Sequence, residues 1–283
     1  MLSILIPTYH YDVSSLVKAL HKQCKSCHIA FEILVFDDAS KSHLNKGNET
    51  INALDYCTFR VLPNNLGRSA IRNLLATQAQ YNTLLFIDAG TFPKFDNFIE
   101  RYLSVENKNV SSGGMTQLET APEPPHKLRW LFTKKREYKT LCSSNFMIKK
   151  DIFLSNPFDE SIKKYGYEDV LFFEKLSNQN IETHFFNNPV IHNADDDADS
   201  FINKTEYALE NLADLIDQNK IDATGQKIDL IYRSLKKLKL VFLVSKMHIM
   251  LKPLLLKNFN SSYASITLFD IYRIGYFCYI KTK

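Results

Sequence analysis

Short runs of apolar residues alternate with amphipathic stretches through the first third of the chain. The runs are typical of strands buried on both faces, and apolar residues at helical spacing fill the intervals between them. The predicted elements are strands at 3–6, 32–36, 58–62 and 83–87, with helices at 13–22 and 68–79. This alternation predicts an α/β fold, with a mainly parallel sheet flanked by helices.

The regular alternation of predicted strands and helices ends after residue 88. We expect helices at 97–103, 168–178 and 201–219, and strands within 110–118, at 145–149 and at 182–186. Gly113 and Gly114 lie inside one of these strands, where the missing side chains would let a ligand or another backbone come close. The last part of the chain mixes Lys with Leu, Val and Phe. The sequence therefore predicts two domains, which are an α/β domain at 1–219 and a basic, largely helical extension at 220–283.

Charge is divided unevenly between these two parts. Residues 221–283 contain 11 Lys and Arg against 3 Asp and Glu, a net charge of +8, whereas residues 1–220 contain 24 against 28, a net charge of −4. A basic apolar extension indicates contact with a membrane surface or a second copy of the chain, and a solvated basic tail is an equal alternative. The net acidity of the larger part argues against nucleic-acid binding.

The sequence predicts a cytoplasmic protein, peripheral at the inner face of a membrane. No apolar run in the extension approaches the roughly 18 residues that span a bilayer, and no secretory signal opens the sequence. Five cysteines in such a chain do not predict a disulfide framework. Cys24, Cys27 and His28 match the spacing of haem attachment, but without export or a second cysteine pair we interpret them as incidental.

Polar residues follow three successive predicted strands. Thr8 and Tyr9 come after the first strand, Asp37 and Asp38 after the second, and Asp88 after the strand at 83–87. Ligands of open α/β sheets bind outside the carboxyl ends of the strands. The sequence therefore predicts a ligand site at this edge.

Four segments carry a family resemblance when they are taken in order. They are ILIPTY at 4–9, EILVFDDAS at 32–40, NLGRSAIRN at 65–73 and FIDAG at 86–90. Together they resemble the family 2 glycosyltransferases over about residues 1–219, and GYED at 166–169 and NPVIH at 188–192 fit the same family. The resemblance implies the GT-A fold, a Rossmann-like mixed sheet. It also implies an inverting transfer from a nucleotide-sugar donor.

The resemblance implies a donor site at the strand ends. Asp37 would accept from the nucleobase, Arg72 and Arg68 would face the diphosphate, and Asp88 would hold the ribose. Two alternatives stay open: Asp37 as an ordinary turn residue, and the two arginines as surface residues of a helix. The implied nucleotide-sugar site comprises Pro7, Thr8, Tyr9, Asp37, Asp38, Asn65, Gly67, Arg68, Arg72, Asp88, Ala89 and Asn145.

The resemblance also names the catalytic residues. Asp169 would take the proton from the acceptor hydroxyl as a general base, and Glu168 would position the acceptor or the donor sugar. The alternative is that both are first-turn acids favoured by the helix dipole.

The resemblance also implies a divalent metal, Mn²⁺ or Mg²⁺, but one of its usual ligands is missing from this sequence. Family members carry an Asp-x-Asp motif where this chain has Asp88 and Gly90, and glycine has no ligand oxygen. Asp88 could still hold a metal with the donor phosphates and His192. Asp195, Asp196 and Asp197 could replace a ligand, although an acidic helix start explains them better. Otherwise Arg72 would stabilise the leaving group, or the protein would be weakly active or inactive.

One further stretch suggests a lid over donor and acceptor. It contains Trp130 with Arg129 and Arg136, and an aromatic face suits the C–H surface of a sugar. A single tryptophan is more often a core residue.

The leading hypothesis is an inverting hexosyltransferase for surface polysaccharide or glycoconjugate synthesis, with a glycan or lipid-linked acceptor. The second is a non-catalytic binding subunit that partners an active transferase, as Gly90 suggests. A nucleotidyltransferase is a weaker third, because residues 8–11 lack the glycine-rich basic loop of such enzymes.

Overall fold

The computed structural model describes residues 1–137, 140–222 and 225–283. Its strands are, in chain order, β1 (Leu2–Thr8), β2 (Phe31–Asp37), β3 (Cys57–Val61), β4 (Thr83–Ile87), β5 (Thr91–Pro93), β6 (Val110–Ser112), β7 (Met115–Gln117), β8 (Asn145–Lys149), β9 (Thr183–Phe185) and β10 (Val190–His192). The predicted strands at 83–87 and 145–149 have the same bounds in the structure, and those at 3–6, 32–36, 58–62 and 182–186 differ from it by one or two residues at each end. The single strand predicted around Gly113 and Gly114 is wrong, because this stretch forms two strands, β6 and β7, with the glycines between them.

The helices alternate with these strands and then follow them. They are α1 (Ser14–Ser26), α2 (Asn45–Asn48), α3 (Arg68–Gln78), α4 (Phe98–Leu103), α5 (Lys127–Phe132), α6 (Lys150–Ser155), α7 (Glu168–Asn178), α8 (Ala198–Asp217), α9 (Lys227–Lys237), α10 (Val241–Phe259) and α11 (Ile266–Ile280). A 3₁₀ turn at Glu49–Ala53 follows α2, and a π-helical turn at Thr133–Glu137 follows α5.

Seven strands form the central sheet in the order β3-β2-β1-β4-β8-β6-β9. Strands β3, β2, β1 and β4 are parallel, and β8 is antiparallel to both of its neighbours. Strand β9 pairs with β6 in parallel, so β8 is the one reversed strand of this sheet. The predicted α/β class with a mainly parallel sheet is confirmed.

Alternate residues of the central strands enter two different cores. Ile4 and Ile6 of β1 pack with α1 and α4 on one face, whereas Leu5 packs with α3, α6 and α7 on the other. Burial on both faces is the reason that these strands are apolar along their whole length.

A second sheet has three short strands, in the order β5-β10-β7. Strand β7 is separated from β6 of the central sheet by Gly113 and Gly114 only. A Cβ atom at Gly113 would lie 2.2 Å from the carbonyl oxygen of Asn188, so the close backbone approach predicted for this stretch is present.

The chain divides into two compact units. Unit 1 comprises Met1–Gln117, Arg136–Lys163 and Glu168–Asn193, and unit 2 comprises Leu118–Lys135, Lys164–Tyr167 and Ala194–Lys283. Unit 2 has its own aromatic core, which includes Phe201, Phe259 and Phe269. Helix α8, which the sequence assigned to the α/β domain, packs in unit 2, and the boundary after residue 219 stays a prediction.

The helical nature of the C-terminal region is confirmed by α9, α10 and α11. Over the described ranges, none of the helices combines the length and the apolar character needed to cross a bilayer. Asp197 caps the start of α8, where its carboxylate accepts from the backbone N–H of Ser200 at 2.7 Å. The acidic run before α8 is therefore the helix start that the sequence favoured.

Candidate active site

The polar strand ends meet at one edge of the central sheet. Thr8 ends β1 and Asp37 ends β2, and the parallel register places these two residues side by side. Strand β4 pairs with β1 on its other side, so Asp88 leaves the sheet at the same edge. This edge is where open α/β sheets bind their ligands.

The other predicted residues near β1 and β4 differ in exposure. Thr8 is buried and its Oγ1 lies 3.5 Å from the carbonyl oxygen of Tyr11. Tyr9 is exposed and packs edge-on against His10, whereas Pro7 and Ala89 are half-buried. Tyr9 is thus the member of this group most open to a ligand.

The carboxylate of Asp37 is fully buried and closes a turn. Its Oδ1 accepts from the hydroxyl of Ser40 at 2.6 Å, and its Oδ2 accepts from the backbone N–H of Ser40 at 2.9 Å and from Nδ2 of Asn45 at 3.0 Å. These bonds fit the turn alternative raised by the sequence. The nucleobase contact expected of Asp37 stays a prediction.

Asp38 holds the loop that starts helix α3. Its two carboxylate oxygens accept from the backbone N–H groups of Leu66 at 2.6 Å and Gly67 at 2.9 Å, and its carbonyl accepts from Asn65 at 2.8 Å. Gly67 has φ of 87°, a left-handed conformation that favours glycine. The contribution of these residues to the site is to fix the first turn of α3, and it comes from Asp38, Asn65 and Gly67.

Arg72 lies one turn into α3 and is paired with Asp88. The arginine is 2% exposed, and one arm of its guanidinium donates to Oδ1 of Asp88 while the other donates to the carbonyl of Arg68 at 2.9 Å. Burial opposes the charged form of Asp88, but Arg72 and Arg68 outweigh it and hold its pKa below the usual range. Asp88 is therefore a stable carboxylate.

Arg68 joins two acidic residues that are far apart in the sequence. Its Nε donates to Oε1 of Glu168 at 2.7 Å, and its Nη2 lies 3.8 Å from Oδ2 of Asp88. The side chain of Arg68 is 45% exposed, so part of its charge faces solvent. We name Glu168, Arg68, Asp88 and Arg72 the carboxylate–arginine cluster. The surface-helix alternative does not describe Arg72, because it is buried.

Glu168 is a buried, ionised member of this cluster. Burial acts against its charge, but Arg68 and then Arg72 hold the pKa of Glu168 below its usual range. Within the described residues, Oε2 of Glu168 is buried and has no hydrogen-bond partner. An acceptor oxygen of this kind is costly to leave unmet, so it can bind a hydroxyl of a ligand.

Asp169 is shifted in the opposite direction. Burial and the adjacent charge of Glu168 raise the pKa of Asp169 to about 7, although Arg68 and Arg72 act against this shift. Its Oδ1 accepts from the backbone N–H of Val170 at 2.8 Å. A carboxyl with such a pKa can take a proton near neutral pH, which is the property of a general base.

Two residues that the sequence analysis missed precede strand β8. The hydroxyl of Ser144 donates to Oδ2 of Asp88 at 2.7 Å, and the backbone N–H of Asp88 donates to the carbonyl of Ser144 at 3.1 Å. Burial and the charge of Asp169 raise the pKa of the Cys142 thiol to about 12, so this thiol is neutral. No local sequence pattern marks either residue, because their positions near Asp88 depend on the antiparallel pairing of Ile87 with Asn145.

The described residues around Asp88 do not make a metal site by themselves. Both oxygens of Asp88 already accept hydrogen bonds, and a side chain is missing at Gly90. His192 ends β10 and pairs with Thr91, three residues after Asp88. Across the described ranges, no three His, Cys, Asp or Glu side chains form a group that could hold a metal ion.

Asn145 is fully buried and links the two sheets. Its Oδ1 accepts from the hydroxyl of Tyr102 at 2.6 Å, and its Nδ2 donates to the carbonyls of Gly114 at 2.8 Å and Asn188 at 2.9 Å. A sugar contact would require the amide to leave these bonds. That role stays a prediction, and the observed role is structural.

The residues proposed as a lid are in part core residues. In unit 2, Trp130 is buried and its indole N–H donates to the carbonyl of Leu118 at 2.7 Å, and the buried guanidinium of Arg129 stacks 5.1 Å from the Phe201 ring. Arg136 belongs to unit 1 and is exposed. The core alternative for the single tryptophan is therefore correct, because its polar N–H is satisfied internally.

Solved structures share this fold at low sequence identity. The S. aureus TarS crystal structure has a TM-score of 0.52 and 18% identity, and the match covers 72% of this chain and 38% of that one. The TarS fragment 1–349 has the same TM-score and 17% identity, with 100% and 92% covered. It is also known in complexes with UDP and with UDP-GlcNAc.

An archaeal structure gives a third match. The mannosyltransferase PcManGT from Pyrobaculum calidifontis, in complex with GDP-Man and Mn²⁺, has a TM-score of 0.52 and 13% identity, with 76% of this chain and 64% of that one covered. At such identities these similarities establish the fold alone, and the GT-A prediction is confirmed. A search of curated proteins by sequence finds no match.

The sequence itself carries the family assignment. The family model described as "Glycosyl transferase family 2" matches residues 3–154, which include the strand-end residues, both arginines of the cluster and Asn145. This match spans more than half of the chain. The chain belongs to glycosyl transferase family 2.

Proposed function

We propose that this chain is an inverting transferase that moves a hexose from a nucleotide-diphosphate sugar to an acceptor hydroxyl. The observation that carries the proposal is the cluster at the strand ends, where Arg68 joins Glu168 to Asp88 in a chain of glycosyl transferase family 2. Glu168 is held ionised by Arg68, whereas the pKa of Asp169 is raised to about 7. When the surroundings of two neighbouring carboxyls move their pKa values in opposite directions, the two groups can take different roles. The group with the lower pKa positions a ligand, and the group with the higher pKa accepts a proton.

Donor binding is assigned to the edge of the sheet. The half-exposed guanidinium of Arg68 provides a planar cation for the diphosphate, and its position is fixed by Glu168 and by the start of α3. Arg72 is buried and acts by holding Asp88, whose carboxylate would meet the ribose. Thr8, Tyr9 and Asp37 are the residues assigned to the nucleobase side.

The chemical step follows from these roles. The acceptor oxygen attacks the anomeric carbon as its proton passes to the carboxylate of Asp169, and the bond from that carbon to the diphosphate oxygen breaks. Attack from the face opposite the leaving group inverts the configuration. The nucleoside diphosphate leaves with the bonding electron pair, and the positive charge of Arg68 stabilises it. Oε2 of Glu168 accepts from a sugar or acceptor hydroxyl.

The mechanism is written without a divalent metal, because the described part of the chain holds no group of three His, Cys, Asp or Glu side chains that could bind one. Asp88 and His192 were the ligands expected from the sequence. Asp88 is neutralised by two guanidinium groups, and Gly90 adds no oxygen. The structure of PcManGT holds Mn²⁺ together with GDP-Man. Nucleotide binding to this chain should therefore be measured both with and without Mn²⁺.

The acceptor is proposed from the family and from the C-terminal extension. The family and the basic apolar extension support a glycan or lipid-linked acceptor, and the role that we propose is in surface polysaccharide or glycoconjugate synthesis at the inner face of a membrane. This inference is an analogy at the level of the fold.

The first experiment measures nucleotide binding. UDP, GDP, dTDP and CDP are titrated by calorimetry into the full chain, with and without Mn²⁺. We expect one nucleotide to bind at least about tenfold more tightly than the others, a difference of about 1.4 kcal/mol. If none bound under either condition, the donor site would be refuted and the non-catalytic partner subunit would become the leading function.

The second experiment tests the base. With the sugar donor of the selected nucleotide, Asp169→Asn should lower the rate of sugar release to water or acceptor by about 10²- to 10⁴-fold and leave nucleotide binding unchanged. Asp151→Asn is the matched control, since Asp151 is an exposed acid in the first turn of α6. Equal rates in the two variants would exclude Asp169 as the base.

A further inference from the structure

Helix α10 of unit 2 buries Leu255 and Phe259 in the core of that unit and also carries large apolar residues on its outward side. Ser245 and His248 are buried, and Lys252 donates to Oε1 of Glu206 at 2.9 Å. The exposed positions of the helix recur at spacings of three and four and include large apolar residues, which are Phe242, Leu243, Met247, Ile249, Met250 and Leu254. A helix that packed only within its own domain would bury its apolar side.

The apolar surface extends into the turn before the helix. Leu238 and Leu240 are exposed there, and Leu238, Phe242 and Met250 are 66%, 67% and 70% accessible. We name the eight residues 238, 240, 242, 243, 247, 249, 250 and 254 the α10 face. Clustered exposed apolar residues of this size mark an interaction surface rather than ordinary surface composition.

Cations are interspersed with the α10 face and acids are absent from its sequence. Residues 230–260 contain seven Lys and Arg and no Asp or Glu. On the exposed side, Lys246 and Lys257 lie between the apolar residues, and the ammonium of Lys246 lies 5.3 Å from the centre of the Phe242 ring. Lysine can lay its aliphatic stem along an apolar surface and keep its charge in the polar layer.

The charge distinguishes between two occupants of this surface. In a twofold dimer the same patch meets itself, so the exposed cations Lys246 and Lys257 of one copy would lie close to those of the other. An anionic bilayer offers acyl chains to the apolar residues and negative headgroups to the lysines, which is the composition that interfacial helices bind.

We propose that the α10 face binds the surface of an anionic membrane, with α10 lying in the plane of the interface. Phe242, Leu243, Met250 and Leu254 enter the boundary between headgroups and acyl chains, and Lys246 and Lys257 reach back to the headgroups. The helix lies on the bilayer and does not cross it.

Vesicle flotation of the full chain tests the proposal. We expect about tenfold or more binding to phosphatidylcholine vesicles that contain one third phosphatidylglycerol, relative to phosphatidylcholine alone, and a loss of binding as salt screens the headgroups. The double variant Phe242→Ser and Met250→Ser should reduce binding to the anionic vesicles by about tenfold or more, because it removes apolar area from the interface.

The matched control replaces two exposed apolar residues of unit 1, Val61→Ser with Leu154→Ser, and should bind as the unaltered chain does. Thermal unfolding checks that both double variants are folded. Three results would overturn the proposal: no binding to anionic vesicles, equal binding by the two double variants, or a dimer in solution that Phe242→Ser with Met250→Ser dissociates while vesicle binding is absent. Each readout is independent of sugar transfer.

Discussion

Arg72 on helix α3 donates from its buried guanidinium to the carboxylate of Asp88, the first residue after strand β4. This ion pair joins helix α3 to the edge of the central sheet. Because the arginine is almost fully buried, its charge depends on this partner.

Asp88→Asn should therefore destabilise the fold as well as the site. It removes the carboxylate charge that contacts the buried guanidinium of Arg72, and we expect the free energy of unfolding to fall by about 3 kcal/mol. Urea unfolding followed by circular dichroism measures this loss.

The double variant Asp88→Asn with Arg72→Met separates charge burial from packing. Removing the second charge should restore part of the stability, so the double variant should be more stable than Asp88→Asn alone. Strictly additive losses would show that the pair is not coupled.

The rate of transfer should rise with pH through about 7, as Asp169 loses its proton and becomes able to accept another. Glu168→Gln should move this acid limb to lower pH, because the negative charge that raises the pKa of Asp169 is gone. The measurement is kcat/KM against pH for both chains. A limb that stays in place, or moves to higher pH, would contradict the assignment.

Gly90→Asp should make nucleotide binding depend on metal. A Cβ atom at this position meets only the Tyr11 ring, at 3.8 Å, so a side chain fits. We expect Mn²⁺ to change the affinity of the unaltered chain less than about threefold and that of Gly90→Asp by about tenfold or more, since oxygen ligands are what such cations bind. Gly90→Ala controls for bulk, and a tenfold Mn²⁺ effect in the unaltered chain would show that Asp88 suffices.

Asn145→Ala should cost about 3 kcal/mol of unfolding free energy, because three buried hydrogen bonds are lost. The Tyr102 hydroxyl loses its acceptor and the carbonyls of Asn188 and Gly114 each lose a donor, although Tyr102 still accepts from Gly113 and Gly114 still accepts from Val190. Asn64→Ala, at an exposed position, is the control and should change stability little. A loss in donor affinity without a loss in stability would instead favour the sugar contact that the sequence predicts.

The middle of the central sheet could be predicted from the sequence because β1, β2, β4 and β8 are buried on both faces. That burial requires continuous apolar runs, and the predictions for β4, β8 and α7 have the bounds found in the structure. Strands β5 and β10 were not predicted, since three residues are too few to show a period. The outward apolar side of α10 was also hidden, because its lysines lie on both sides of the helix.

The part of the candidate site that could be predicted from the sequence consists of the residues at the ends of the parallel strands. Asp88 and Asp37 leave parallel strands at one edge, which the order of the elements implies. The contact of Ser144 with Asp88 depends on an antiparallel register, and the bond from Arg68 to Glu168 joins residues 100 positions apart. Pairings of this kind are properties of the folded chain and leave no local pattern.

The two glycines between β6 and β7 set a limit on the length of the chain at that point. Strand β6 is in register with β8 and β9 of the central sheet, and β7 is in register with β10 of the second sheet. An inserted or deleted residue would turn the side chains of one strand to the opposite face, since alternate residues point in opposite directions. Homologues of this chain should therefore vary in loop length elsewhere and keep two residues here.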